Sequence, residues 1–268
     1  MGVSASGTGR SGEPLFLGVT TSTENSGLLA HLVDAFKAAH DIQIRAVTAG
    51  SGAVLNLAAR GDVDIILVHS PEDEQGFVDK GYGVDRRPLM RNRFIVVGPK
   101  SDPAGVRQSS DAASAFRAVA RHRALFLSRG DDSGTHRAEL RIWQEADLDP
   151  NRLGDAGSGE DWYRESGSGQ GATLNIAANT SAYTLTDEAT WATFGNPGNL
   201  ETLFSNDEPA LDNVYSLIRV NPDRHPGLNA ADATTLADWL TSKAGQAVIS
   251  SFRVDGRALF RPINRLAG

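Results

Sequence analysis

Three short clusters of hydroxyl side chains and glycines each follow an apolar run of the sequence. They lie at Thr20–Gly27, Thr48–Gly52 and Ser128–His136. Each precedes a segment with helical spacing, so its hydroxyls would surround a helix N-terminus, which carries unpaired N–H groups and a partial positive charge. Such donors bind oxyanions. A single cluster is usually only a helix cap, but three at the carboxyl ends of predicted strands favour a ligand site.

Arg129 adds a positive charge to the third cluster. Its guanidinium group could give a charge-assisted contact to an anion. It could also pair with Asp131 or Asp132 and only stiffen the loop. The two interpretations are compatible, and the sequence leaves both open.

A fourth glycine-rich segment, Trp162–Leu174, also runs into a predicted helix. It lacks the Gly-Lys-Ser/Thr ending of a phosphate-binding loop, and its glycines do not match the dinucleotide-binding fingerprint. We therefore predict a loop-to-helix junction that closes over a ligand.

The sequence offers little for catalysis or metal binding. Cysteine is absent, and the six histidines show no metal-ligand spacing. Ser133 and His136 lack the Gly-x-Ser-x-Gly turn of a hydrolase, so His136 is predicted to pair with Asp131 or to lie on an exposed helix face. Asp131 with Asp132, or the acidic run at 72–74, could bind a divalent cation, but such runs are usually solvated loops or charges in the first turn of a helix. We predict no enzyme activity, no cofactor and no metal.

The bulk properties narrow the class of protein further. The net charge of −7 over 268 residues argues against nucleic-acid binding. No apolar stretch approaches the roughly 18–20 residues of a membrane span. Residues 1–12 are rich in Gly, Ser and Thr and lack the apolar region of an intact signal peptide, so we predict a flexible tail.

Short apolar runs alternate with helical spacing in the first third of the chain. This alternation predicts strands at 15–19, 42–47 and 64–68 and helices at 27–40 and 54–60. A β-α-β order of this kind predicts a parallel sheet covered by helices, and therefore an α/β fold.

A second β/α set follows a predicted strand at 94–97. It comprises a helix near 109–120, a strand at 124–127 and a helix at 133–146, and then a segment, 154–171, that is predicted to be largely loop. A late strand at 215–220 precedes one long amphipathic helix that closes the chain. Two α/β lobes with boundaries near Gly98 and Asp212 would accommodate this pattern.

Five motifs together resemble a known family. They are Thr-Thr-Ser-Thr-Glu-Asn-Ser-Gly-Leu-Leu at 20–29, Gly-Asp-Val-Asp-Ile-Ile-Leu-Val-His at 61–69, Gly-Tyr-Gly-Val-Asp-Arg-Arg at 81–87, Ser-Arg-Gly-Asp-Asp-Ser-Gly-Thr-His at 128–136 and Ala-Tyr-Thr-Leu-Thr-Asp at 182–187. On these motifs the chain resembles the tungstate-binding proteins of tungstate ABC importers, which are class II periplasmic binding proteins.

The resemblance implies a class II periplasmic binding protein fold, with two α/β lobes joined by two crossover strands at 94–97 and 215–220. Lobe I would comprise 13–97 and 212–268, and lobe II 98–211, with the ligand between them. It also implies a monomeric, periplasmic or otherwise extracytoplasmic receptor that works with an ABC importer permease.

The resemblance also implies which residues bind a tetrahedral oxyanion, tungstate or molybdate. The implied ligand-binding residues are Thr21, Ser22, Ser51, Arg129, Ser133, Thr135, Thr173 and Tyr183. The last of these could instead be a core aromatic residue. In the family's glycine-rich loop, a Met usually stands at the position of Gln170.

Two alternative functions remain open at this stage. Phosphate-binding relatives share the Arg-x-Asp-x-Ser-Gly-Thr pattern, and their aspartate accepts the proton of hydrogen phosphate. The direction of the Asp131 side chain therefore decides between phosphate and tungstate or molybdate. A sensor module that is not linked to transport would have the same domain.

Overall fold

The computed structural model describes residues 13–149 and 162–263. The predicted tail at 1–12 and the part of the predicted 154–171 loop before Trp162 lie outside the described residues. None of the helices in the described ranges is long and apolar enough to cross a membrane.

The chain forms two compact units. The first unit runs to Met90, resumes at Val214–Phe252 and resumes again from Phe260. The second unit comprises Arg91–Asn213 and Arg253–Leu259. Two long strands, β4 (Gly83–Pro99) and β9 (Asp212–Val220), each carry the chain from one unit into the other.

The first unit is built on a mixed sheet with the strand order β2-β1-β3-β9-β4-β10. Its remaining strands are β1 (Leu15–Thr20), β2 (Ile44–Ala49), β3 (Ile65–Val68) and β10 (Arg261–Pro262). Strand β1 pairs in parallel with both β2 and β3, whereas β3 pairs antiparallel with β9. All four residues of β3 are buried, as expected for a central strand.

Helices follow the parallel strands of the first unit. They are α1 (Thr21–Asn25), α2 (Leu28–His40), α3 (Ser51–Arg60) and α4 (Pro71–Asp79). Helix α3 ends at Gly61, whose φ of 79° is the left-handed conformation that favours glycine. The α/β class and the β-α-β order predicted for this part of the chain are confirmed.

The second unit has two groups of paired strands. Strand β4 pairs antiparallel with β7 (Thr184–Asp187) and β8 (Leu200–Phe204), and β5 (Phe126–Ser128) pairs in parallel with β6 (Tyr163–Glu165). Its helices are α5 (Ala112–Arg121), α6 (Gly134–Glu145), α7 (Gln170–Thr180) and α8 (Glu188–Thr193). An aromatic cluster forms much of its core: Phe116, Phe126, Trp143, Trp162 and Tyr163.

One expectation about the elements is wrong. The closing segment is two helices, α9 (Ala230–Thr241) and α10 (Lys243–Ser251), because Ser242 is extended and its Oγ accepts a hydrogen bond from the Gly245 N–H. The described part of the segment predicted to be largely loop contains the short strand β6, which is stabilised by pairing with β5, a contact that the sequence does not reveal.

Candidate functional site

A cluster of hydroxyl groups lies where β1 gives way to α1. Ser22 Oγ is 3.1 Å from Thr20 Oγ1, which is itself 3.1 Å from Thr23 Oγ1. All three side chains are buried, whereas the predicted site residue Thr21 is partly exposed. Each hydroxyl group has one hydrogen to donate, so in each of these contacts one oxygen donates and the other accepts.

The other predicted residues of the first unit follow the neighbouring strands. In the parallel registers, Thr20 is opposite Ala49 and Val19 is opposite Leu67. Ser51 is the first residue of α3, which follows β2, and it is buried. The carboxyl ends of β1, β2 and β3 therefore meet at one edge of the sheet, with polar residues one or two positions after each strand.

The residue after β3 is His69, which sequence analysis did not select. It is buried, and its Nε2 atom is 3.1 Å from Ser22 Oγ. Its ring packs on Tyr215 with a centroid distance of 4.8 Å. His69 follows β3 as Thr21 and Ser22 follow β1, so its position at the end of a parallel strand would have indicated it as a site residue.

Arg129 is the centre of a polar group in the second unit. It follows β5 directly and is only 2% exposed. Its Nη2 atom donates to Asp131 Oδ2 at 2.5 Å, and Nη1 donates to Gln170 Oε1 at 3.4 Å and to Thr135 Oγ1 at 3.5 Å. The guanidinium group is therefore held by acceptors from the loop, from α6 and from α7.

One donor of this guanidinium group is buried without a partner. In the ranges that the structure describes, Arg129 Nε has no hydrogen-bond acceptor. An unpaired buried N–H group costs about 1–3 kcal/mol, and more for a charged group. This arrangement is typical of a donor that is kept for a ligand.

Asp131 contacts the guanidinium group and the helix start at the same time. While Oδ2 accepts from Arg129, Oδ1 accepts from the Ser133 backbone N–H at 3.2 Å. Ser133 caps α6, and its Oγ accepts from the His136 N–H. The structure therefore brings Arg129, Ser133 and Thr135 into one local group, as the sequence pattern predicts.

Gln170 also belongs to this group, although sequence analysis noted it only as a departure from the family pattern. It is the first residue of α7 and is 1% exposed. Its Nε2 donates to the Leu185 carbonyl, which turns Oε1 toward Arg129. The sequence feature that could have identified Gln170 is its position at the start of a predicted helix, directly after a glycine-rich loop.

Thr173 contacts the Arg129 loop through another residue. Its Oγ1 is 2.8 Å from Ser166 Oγ, and Ser166 Oγ donates to the Arg129 carbonyl. Thr173 Oγ1 is also 3.2 Å from the carbonyl oxygens of Ser168 and Gly169. This threonine fastens the glycine-rich loop to the Arg129 loop.

The structure does not bring Tyr183 into the group around Arg129. Its ring lies in the core of the second unit. Its hydroxyl donates to Asp102 and accepts from the Ala104 N–H, both at 3.0 Å. The alternative interpretation as a core aromatic residue describes this environment.

A buried carboxyl group lies beneath the Arg129 loop. Glu139 accepts hydrogen bonds from the Ser128 and Tyr163 hydroxyls and from Trp143 Nε1. Burial raises the pKa of Glu139 to about 7, although these donors act in the opposite direction. Glu139 links β5, β6 and α6 below the loop.

One sequence interpretation of a polar residue is corrected. His136 does not lie on an exposed helix face: it is buried, its Nδ1 accepts from the Asp132 N–H, and burial lowers its pKa. The acidic run lies in the first turn of α4, as one of its interpretations predicts, and within it Glu74 is fully buried and pairs with Arg86. Its pKa is raised by burial, which outweighs the effect of Arg86.

Comparisons with known proteins place these features in a family. The PBP superfamily domain matches residues 3–244. The tungstate-binding protein of Peptoclostridium acidaminophilum is 35% identical over 92% of this chain and 85% of its own length. The chain belongs to this family of solute receptors of ABC transporters.

Solved structures of the family have the same fold. The tungstate ABC transporter structure from Geobacter sulfurreducens is 39% identical, covers 90% of this chain and 99% of its own, and has a TM-score of 0.80. The tungstate-binding protein of Desulfovibrio alaskensis G20 is 39% identical over 93% of this chain and 99% of its own, with a TM-score of 0.78. The predicted periplasmic binding protein fold and oxyanion-receptor class are confirmed.

Proposed function

We propose that this protein binds a fully deprotonated tetrahedral oxyanion, tungstate or molybdate, as the solute receptor of an ABC importer. The observation that carries the proposal is the buried Arg129 guanidinium group. Its Nη1 is directed at two acceptors and its Nη2 at Asp131, while Nε finds no acceptor in the described ranges. Of the five N–H groups of an arginine, Nε–H and one Nη2–H are left for an anion.

The direction of Asp131 supports tungstate or molybdate over phosphate. Both carboxylate oxygens already accept hydrogen bonds, one from Arg129 and one from the Ser133 N–H. An aspartate in this role braces the arginine, and two of its roughly four acceptor sites are already taken. An anion without a proton is matched by a shell made only of donors.

In this proposal the anion receives hydrogen bonds from the residues that the family resemblance implies. Arg129, Ser133 and Thr135 would donate from the loop after β5 and the start of α6, and Thr21, Ser22 and Ser51 from the segments after β1 and β2. The family supports this assignment, and the polar residues at the strand ends fit it.

Transport and location follow from the same family. We propose that the loaded receptor docks on an importer permease at the outer face of the membrane and acts there as a monomer. We also propose that it has no hydrolase activity. The His136 ring nitrogen Nδ1 accepts from the Asp132 N–H, so the neutral ring carries its hydrogen on Nε2 and has no free lone pair with which to activate Ser133.

Calorimetric titration with tungstate tests the proposal. The dialysed wild-type protein should bind one anion per chain. Arg129→Ala should weaken binding at least about 100-fold, since each hydrogen bond to a charged group contributes about 1.5–3 kcal/mol. Arg121→Ala, which removes an exposed arginine of the same unit, should leave the affinity unchanged.

Competition separates the oxyanions. Phosphate at millimolar concentration should displace little tungstate at neutral pH. Substantial displacement would remove the tungstate and molybdate assignment. No heat from either metal oxyanion, in protein shown to be folded, would refute the proposed function.

A further inference from the structure

The surroundings of Ser22 raise the question of where its single hydroxyl proton points. Ser22 is 2% exposed, and its Oγ has two polar neighbours at 3.1 Å, Thr20 Oγ1 and His69 Nε2. A hydroxyl group gives one hydrogen bond and accepts up to two. If either neighbour accepts the Ser22 proton, none is left for a ligand.

His69 is fixed at this contact from two sides. It is 4% exposed and follows β3, whose residue Leu67 is opposite Val19 of β1. Its ring lies on Tyr215 at an interplanar angle of 30°. The position of the ring is therefore set by the sheet and by an aromatic neighbour, and Nε2 stays beside Ser22.

Whether Nε2 carries a hydrogen decides whether the Ser22 hydroxyl group can donate a hydrogen bond to a ligand. When Nε2 carries hydrogen, it donates to Ser22 Oγ and leaves the serine proton free to donate elsewhere. When Nε2 lacks hydrogen, it accepts the serine proton, and a serine lone pair is left to face an anion. The second arrangement would repel a dianion.

We propose that His69 is a positioning residue that donates to Ser22 and thereby directs the Ser22 hydroxyl proton toward the bound oxyanion. The inference rests on the proposed function, since it assumes that Ser22 contacts the anion. It adds a residue that acts without touching the ligand, and it accounts for a buried histidine at the end of β3. A Ser22 hydroxyl group that is directed in this way would favour anions that accept hydrogen bonds and donate none.

Titrations of histidine variants with sodium tungstate test this inference. His69→Phe keeps an aromatic ring for Tyr215 and removes the N–H group, so tungstate affinity should fall about 10- to 100-fold. His69→Gln, which restores an N–H donor, should recover most of the loss. His225→Phe is the matched control, because His225 Nε2 lies 3.1 Å from the Ala59 carbonyl oxygen and not beside a proposed ligand-binding hydroxyl group. The tungstate affinity of this variant should equal that of wild type.

A double-mutant cycle distinguishes positioning from a structural role. In a Ser22→Ala background, His69→Phe should have almost no further effect on affinity, because the hydroxyl that it directs is gone. An equal loss in both backgrounds would overturn the inference. So would wild-type affinity in His69→Phe.

A second pair of variants protects the test against misfolding. If His69→Phe does not fold, His69→Gln is compared with His69→Met, which has a similar length and no N–H donor. Equal tungstate affinities in this pair would overturn the inference. A wild-type protein that binds no tungstate would instead refute the proposed function.

Discussion

The Glu139 carboxyl group should make the stability of this protein fall as the pH rises through neutrality. In the fold its pKa is about 7, whereas the ordinary value is 4.5. Between these values the unfolded chain releases a proton that the folded chain keeps. Because the unfolded state then binds fewer protons, the free energy of unfolding decreases with pH. The stabilisation is complete below the unfolded pKa and is lost as the pH passes the folded one.

The size of this effect follows from the difference in pKa. A shift of one pKa unit corresponds to about 1.4 kcal/mol. Between about pH 5 and about pH 8, the contribution of Glu139 should therefore change by about 2–3 kcal/mol. Glutamine resembles the protonated acid and does not titrate, so Glu139→Gln should lack this component.

Urea unfolding of the ligand-free protein at a series of pH values measures the contribution of Glu139 to the free energy of unfolding. The free energy of unfolding of Glu139→Gln, relative to wild type, should rise by about 2–3 kcal/mol over that range. Glu145→Gln, an exposed position at the end of the same helix, is the control and should parallel wild type. Parallel curves for Glu139→Gln and wild type would refute the argument from burial.

Two further substitutions test the packing around the site and in the first unit. Gln170→Ala removes an acceptor from Arg129 and should weaken tungstate binding about 10-fold, as measured by calorimetry. Asn175→Ala changes an exposed residue of the same helix and should leave the affinity unchanged. Equal affinities for the two variants would contradict the role of Gln170. Gly245→Ala would place a Cβ atom 2.2 Å from a backbone carbonyl oxygen and should lower the free energy of unfolding, measured by urea unfolding, by about 3 kcal/mol. Gly227→Ala, at a position with open space around it, should change the free energy of unfolding by less than about 1 kcal/mol.

Much of the local structure could be predicted because its signals are local. Ser133 stands where α6 begins, and Gly61 stands where α3 ends. Arg129 and Thr135 are six residues apart on one strand-loop-helix segment, and the structure brings them into contact. Residues that are this close in sequence can be grouped without knowledge of the fold.

The missed residues reach the site through long-range pairing. Gln170 meets Arg129 from a separate helix, and His69 meets Ser22 only because β1 and β3 pair in parallel. The partner of Glu74 was missed for the same reason, since Glu74 lies on α4 and Arg86 lies on β4.

Some sequence patterns have two structural solutions that the sequence does not separate. A continuous apolar stripe did not show that Ser242 interrupts the closing helix. Tyr183 has a hydroxyl group and a large ring, and only the fold shows that this hydroxyl is bound by Asp102 and Ala104. Periodicity indicates which residues are buried, but it does not indicate which polar atoms face each other.

The path of the chain between the two units has a consequence for synthesis on the ribosome. Strand β3 needs β9 as its antiparallel partner, with Ile65 opposite Arg219, so the sheet of the first unit is incomplete until the whole stretch Arg91–Asn213 has emerged. That stretch holds nearly all of the second unit and can bury its core earlier. A nascent chain that ends at Asn213 would therefore carry a folded insertion beside a half-built sheet. The edges of β3 and β4 that later pair with β9 would then be open to pairing with another chain.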